Sequence, residues 1–341
     1  MRLPQRARDA SVGLLGVAAL AVIAGAAGGC RPEFPPYNRV TGLRVLAIRS
    51  EPAAPITGEE ATFSALVVTP SSLPTPEIAY QWSWCPLAGD PGQGYRCVVD
   101  EPTINDLLMA GGQTTRLSFD LGTAPTASFI NNIPADSFKQ ICGTGLPGLP
   151  MEFKLDCSAG FPIQIMLTVT TATDSLTAVQ TVKLRFDGQQ PANTNPAIDG
   201  LQVVAASDAG DVTTPIPDLM MPEPGSAAEA VTLPRDKETR IRATMAETTA
   251  EEYYGLDDDK NLVLLTERLF LTWFVESGDT NNPRTSFFSG STLFADLLKN
   301  RWSPGKVKDY PSDRSRIYVV AHDNRGGVSW RAGTVNLEPT P

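Results

Sequence analysis

Few residues of this sequence are equipped for chemistry, and their spacing narrows what that chemistry can be. The single histidine, His322, would have to serve any Ser-His-Asp relay, yet no G-x-S-x-G elbow accompanies it and it sits on an alternating stretch beside Asp323. It reads as an edge or surface histidine. The stretch Gly143-Thr144-Gly145-Leu146-Pro147-Gly148 is broken by Pro147 and preceded by Cys142 rather than opening a helix, so it is a loop and not a phosphate cradle. Carboxylates gather at Glu251, Glu252, Asp257, Asp258 and Asp259. They could offer oxygens to Ca²⁺, but an EF-hand loop needs glycine at its sixth position, and counting from Asp257 puts Leu262 there. The segment is carried forward as a partner or calcium loop, facing a basic protein surface or a divalent-bridged glycan, against the ordinary alternative of a solvated acidic loop. No catalytic residue is assigned, and no metal site or cofactor is expected.

Five cysteines remain: Cys30, Cys85, Cys97, Cys142 and Cys157. Zinc fits them poorly, because there is no C-x-x-C and the lone histidine is distant in sequence. Disulfides fit the last four better. Pairing Cys85 with Cys97 and Cys142 with Cys157 is favoured, since each closes a short Gly/Pro-bearing segment, but four cysteines allow three connectivities and sequence leaves them open.

Cys30 stands apart from these. Arg2, Arg6 and Arg8 precede an uncharged, mostly apolar run from Ala10 to Gly29 that ends Ala27-Gly28-Gly29-Cys30. This is the layout of a secretory signal; as a membrane span the run is poor in bulky side chains. Ala27-Gly28-Gly29-Cys30 resembles the lipobox of bacterial lipoproteins, with Ala27 where the commonest pattern has leucine. That resemblance implies cleavage before Cys30, acylation of Cys30 with palmitate-type chains, and attachment to a membrane through the lipid. Arg31, not being Asp, resembles the default that sends such proteins to the outer membrane, on its periplasmic face or at the cell surface.

The elements that must carry these residues are short strands. Pro 29 and Gly 28 with few long helical patterns point to many turns. A formal net charge of −10 with no basic cluster argues against nucleic acid. An internal repeat organises the chain. Val40 to Ile48 and Ala197 to Ala205 are matching openings, followed by the alternating stretches Gly58 to Leu66 and Asp236 to Thr244. Next come Tyr80-Gln81-Trp82-Ser83-Trp84 and Leu271-Thr272-Trp273-Phe274-Val275, where a period of two places Trp82 and Trp273 in the core. Each copy closes on a hairpin, the second turning at Asp323-Asn324-Arg325-Gly326-Gly327. Thr103 to Met109 and Ser291 to Trp302 have helical spacing. Ser207 to Ala230 and Glu247 to Asn261 read as irregular insertions.

The Trp strand, the Gly-Leu-x-Val opening and the Asp-x-x-Gly-Gly turn together resemble the Ig-like and PKD-like modules of bacterial surface lipoproteins of the myxobacterial type. The expected fold is all-β, with two tandem Ig-like β-sandwich domains and short helical insertions behind a lipoprotein signal peptide. The expected division is a signal peptide over 1–29, a lipidated tether over 30–38, a first domain over 39–188, a linker over 189–197 and a second domain over 198–341. The resemblance implies a non-catalytic binding or structural module of the envelope, with a protein or glycan partner. An accessory lipoprotein of an envelope assembly or secretion machinery is the alternative, and a carbohydrate-active enzyme a more distant one. Function is expected in the loops of the second domain, the one farther from the lipid in sequence. Cys30→Ser should move the protein out of the membrane fraction and abolish acyl labelling; membrane retention with no lipid on the wild type would contradict the anchor.

Overall fold

The computed structural model describes residues 36–86, 95–110, 116–133, 136, 142, 160–186, 192–208, 210–219, 230–235, 237–256, 261–306 and 308–339. Cys30, Cys157 and Asp257 to Asp259 lie outside the described residues.

The first half comprises β1 (Arg44–Glu51), β2 (Glu60–Val68), β3 (Ala79–Cys85), helix α1 (Glu101–Ala110), β4 (Asp120–Gly122), β5 (Ala127–Ile130), β6 (Phe161–Thr170) and β7 (Ser175–Leu184). Two sheets result, ordered β1-β2-β5 and β4-β3-β6-β7, with the numbered pairs antiparallel. Sequence alternation causes this directly. In β6 every second residue from Phe161 to Val169 is buried, and those side chains meet Phe63, Trp82 and Trp84 between the sheets. Constant-type Ig domains set their fourth strand beside the first, second and fifth; here β4 pairs with β3 instead.

The second half repeats the plan. It comprises β8 (Gly200–Ser207), β9 (Gly210–Ile216), β10 (Thr232–Leu233), β11 (Thr239–Thr244), β12 (Glu252–Leu256), β13 (Leu262–Thr266), β14 (Leu269–Val275), β15 (Asp279–Thr280), β16 (Arg284–Phe287), helix α2 (Phe294–Leu297), β17 (Lys299–Ser303), β18 (Arg314–Asp323) and β19 (Val328–Leu337). One sheet is ordered β15-β17-β11-β8-β9, the other β10-β19-β18-β14-β16, and β12 with β13 forms a separate two-stranded ribbon. The fold is thus all-β, made of paired sheets with short helices. Trp82, Trp84, Trp273 and Trp302 are the largest fully buried side chains.

Three sequence expectations change. The helical patch ending at Trp302 is helical only over Phe294–Leu297, and Lys299–Ser303 is a strand that carries Trp302 inward. The stretch from Ser207 begins with a strand, because β9 folds back on β8 in seven paired positions. Glu247 to Asn261 contains β12, the first arm of the ribbon.

The larger difference lies between the halves. Residues 37 to 341 form one compact unit. Val40, Ala47, Leu66 and Val68 from the first sandwich pack with Phe274, Tyr318, Val320, Val328 and Ala332 from the second in a core of their own. Strand β18 is therefore buried on both faces, with Ile317, Val319 and Ala321 turned into its own sandwich and Tyr318 and Val320 toward the other. The described part of the expected linker is pinned as well. Asn195 donates to the Ser50 carbonyl and Glu51 carboxylate at 2.8 Å and accepts from Val328 N at 2.8 Å. Near the N-terminus, Val40 N donates to Val275 O at 2.8 Å, and Val275 N donates in turn to Asn38 O at 3.0 Å. The described segment around Asn38 and Val40 is thus received at the junction of the two sandwiches.

At that junction Glu276 is 3% exposed, and its carboxylate accepts from Ser71 N at 2.9 Å, the Ser71 hydroxyl, Tyr310 OH at 3.1 Å, Tyr318 OH at 3.3 Å and Arg316 N at 3.1 Å. Only the Ser71 donors come from the first sandwich, so this one side chain stitches both halves together. A buried carboxylate is tolerated when donors surround it in this way.

Candidate functional site

Of the carboxylates singled out in the sequence, the two described ones, Glu251 and Glu252, stand in different environments. Glu251 turns inward, where its carboxylate accepts from Thr194 N at 3.3 Å and from the Thr194 hydroxyl, and faces Arg325 at 3.4 Å. Arg325 itself is 8% exposed; it reaches Glu267 at 3.0 Å and lies over the Tyr253 ring at 4.9 Å. Glu252, by contrast, is exposed. Glu251 is therefore part of the scaffold and not a free ligand for a partner. Among the described residues no group of three or more His, Cys, Asp or Glu side chains is placed to hold a metal ion.

The turn beside this cluster explains its own sequence. Asp323 Oδ1 accepts from the backbone N–H groups of Arg325, Gly326 and Gly327 at 2.7, 2.7 and 2.8 Å, while Oδ2 accepts from Asn193 at 3.2 Å. Gly326 has φ of 110°, in the left-handed region, and a Cβ on Gly327 would collide with the Asp323 carboxylate and the Thr194 carbonyl. Burial pushes the Asp323 carboxyl upward against the pull of those donors. Glu267 is raised to about 7 by its burial, then by repulsion from Asp323, with Arg325 opposing. The assembly fixes the base of the β12–β13 ribbon to the β18–β19 turn: Asn324 donates to Tyr253 OH at 2.9 Å and accepts from Arg268 N at 2.8 Å.

What the ribbon then holds out is apolar. Register places Tyr254 opposite Leu264, and Leu262 lies two residues from Leu264 on the same strand, so these three side chains share a face. Tyr254 is 53% exposed, Leu262 65% and Leu264 54%. A cleft of about 470 Å³ opens beside it, between Leu264, Leu265, Thr266 and Arg268 on the ribbon side and Phe288, Ser289 and Ser291 on the other. Its mouth continues into a ladder: Arg268 lies over Phe288 at 5.6 Å, Phe288 meets Phe270 edge to face at 5.5 Å, and Arg284 lies over Phe270 at 4.6 Å. Sequence reading missed this surface, although the paired runs Tyr253-Tyr254 and Leu262 to Leu265 were its signal.

His322 sits next to that ladder, on a central strand opposite Phe270, and not at an edge. Burial and then the Arg284 guanidinium lower its pKa to about 4. The first sandwich supplies a different kind of constraint. Cys85 is bridged to Cys97, Cα to Cα 5.6 Å, tying the end of β3 to the segment before α1. Cys142 is also disulfide-bonded. A structural disulfide points to an extracytoplasmic, oxidising compartment. Among the described residues no helix is long and apolar enough to cross a membrane.

No protein-family profile matches the chain, and no curated protein matches it in sequence. Among solved structures it is similar to a chimeric titin Z1Z2-Z1Z2 tandem, at 9% identity and TM-score 0.22 over 87% of this chain and 100% of that one. Murine CEACAM1b gives 10% identity and TM-score 0.21 over 86% and 99%. Red sea bream transglutaminase gives 12% identity and TM-score 0.23 over 89% of this chain and 32% of that one. These likenesses carry nothing about activity or partners, and the fold rests on its own strands.

The shielded imidazole gives a pH test. In the folded chain His322 stays neutral down to about pH 4, whereas an unfolded histidine takes its proton near 6.5, so stability is lost as pH falls across that window. Glu267 acts in the opposite sense, its contribution being present below about 4.5 and lost as pH rises through about 7. In urea unfolding, His322→Gln should remove about 2 kcal/mol of the acid-side loss between pH 6.5 and 4. A pH dependence identical to wild type would show that the imidazole is not shielded.

Proposed function

We propose that this protein is a lipid-anchored envelope module, resembling myxobacterial-type surface lipoproteins, whose task is to bind a partner through the β12–β13 ribbon of its second sandwich. In this reading Cys30 carries the acyl chains, the outer membrane holds them, and the paired sandwiches act as a stiff mount. A doubly or triply acylated cysteine meets the requirement of more than one buried chain for stable attachment, each methylene adding about 0.8 kcal/mol.

The observation that carries the reading is the exposure of Tyr254, Leu262 and Leu264 on one face of a ribbon whose base is locked by Arg325, Asn324 and Glu267. A two-stranded ribbon is at best marginally stable alone. Here the fold anchors its base with buried charge and leaves apolar side chains outside, which is the anatomy of an interaction surface. The ribbon also leaves the sandwich at Leu269, the end of β14 opposite to Val275, where the N-terminal segment is received. Seven residues of strand place about 20 Å between the two ends.

Replacing residues 253–265 by a short Gly-Ser turn in the lipidated chain, followed by chemical crosslinking of intact envelopes, tests the reading. Loss of the wild-type adducts is expected, with membrane attachment and the disulfide retained. An unchanged adduct pattern would leave only a spacer role.

A further inference from the structure

We infer that the partner is an extended polypeptide segment with a carboxylate near one end, which adds as a strand to the open edge of β13 inside the cleft. The inference rests on the ribbon reading above and specifies how the ribbon is used.

Backbone polarity decides the edge. Glu267 N donates to Glu251 O at 2.9 Å, so Glu267 faces β12. Facing alternates along an antiparallel strand, which turns Leu265 and Val263 the same way and sends the N–H and C=O groups of Thr266, Leu264 and Leu262 to the other side. Among the described residues β13 has no second neighbour there, its sheet being two-stranded. An unpaired strand edge is a template for another chain.

The space beside that edge has the right place and lining. Strand β14 follows β13 directly and pairs with β16, the last contact being Leu269 with Phe287. Past Phe287 the chain turns away through Ser289 and Gly290, where Gly290 has φ of 78°. The lane that β16 occupies beside β14 is therefore left open beside β13, and the cleft fills it. A strand lying there would set alternate side chains against Leu264 and Leu262 and the others toward Leu265.

Charge identifies one end of the guest. The chain carries a formal net charge of −10, yet Arg268, which lines the cleft, lies over Phe288, and Arg284, beyond its mouth, lies over Phe270; both are exposed, and neither has a carboxylate within ion-pair reach among the described residues. An exposed guanidinium stacked on an aromatic face keeps in-plane donors that match a carboxylate. An acidic strand is therefore selected over a basic one, and a flat apolar surface without backbone donors would leave both the strand edge and the arginines unused.

A random nonapeptide display library panned against the purified full chain tests this. Wild type should enrich peptides with alternating apolar residues, no proline at their centre, and Asp or Glu toward one end. Leu264→Pro removes an N–H that faces the open lane and no internal ladder bond, so it should cut capture at least tenfold with circular dichroism unchanged. Ser289→Trp, which fills the cleft from its far wall and leaves the ribbon's own residues unsubstituted, should do the same and covers the case in which proline disturbs the strand. Arg268→Glu should exchange the acidic preference for Lys or Arg. Failure of wild type to enrich any peptide, or enrichment of the same peptides by Leu264→Pro and Ser289→Trp, would overturn the inference. If ribbon replacement abolishes the envelope adducts while these two variants keep them, the partner lies on the Tyr254 and Leu264 face, and the edge proposal falls with the ribbon reading intact.

Discussion

A carboxylate moved out of water costs several kcal/mol unless donors replace its hydration, and Glu276 is held at the junction of the two sandwiches by donors from both. Its position constrains much else. Ser71 must come close, which brings the loop after β2 against the second sandwich; Tyr310 and Tyr318 must turn their hydroxyls inward, which spends the outer face of β18 on the interface. Tyr318 and Val320 then gain apolar partners from the first sandwich, each such burial contributing about 1.5 to 3 kcal/mol. A polar clamp fixes the register of an otherwise non-directional contact. Truncating it would leave buried hydroxyls and amides without an acceptor, which is the expensive way to lose a hydrogen bond.

The consequence for function runs through β18. Because its two ends are occupied, by the Glu276 clamp near Arg316 and by the Asp323 turn at the other, the strand behaves as a strut between the junction and the ribbon base. Arg325 at the end of the strut is stacked on Tyr253 and paired with Glu267, so the ribbon is oriented by the same body that receives the N-terminal segment. Orientation of this kind lowers the entropy lost when a partner docks. The exposed apolar side chains are thus presented in a fixed direction.

The sequence was legible where one face of a strand is wet. Alternation in β2, β6 and β11 marks strands with a single buried face, and Trp82 and Trp273 were readable as core from their neighbours alone. It was harder to read where both faces are covered or both are apolar. Ile317 to Ala321 is a continuous apolar run because two different cores claim its two faces, and one hairpin pattern cannot reveal the second claimant. The ribbon fails for a related reason: Tyr253 with Leu265 and Tyr254 with Leu264 leave no polar face to set a period. Trp302 was drawn into a helical pattern by the leucines before it, and its indole N–H donates to Ser277 O at 2.8 Å from a strand instead. Glu251 looked like a free carboxylate because its partners, Thr194 and Arg325, are far away in sequence.

Differential scanning calorimetry of the full chain bears most directly on the claim that the two sandwiches are one body clamped at Glu276. A single transition is predicted, with calorimetric and van't Hoff enthalpies equal, and Glu276→Ala should split it into two. Two separate transitions in the wild type, unchanged in Glu276→Ala, would contradict it.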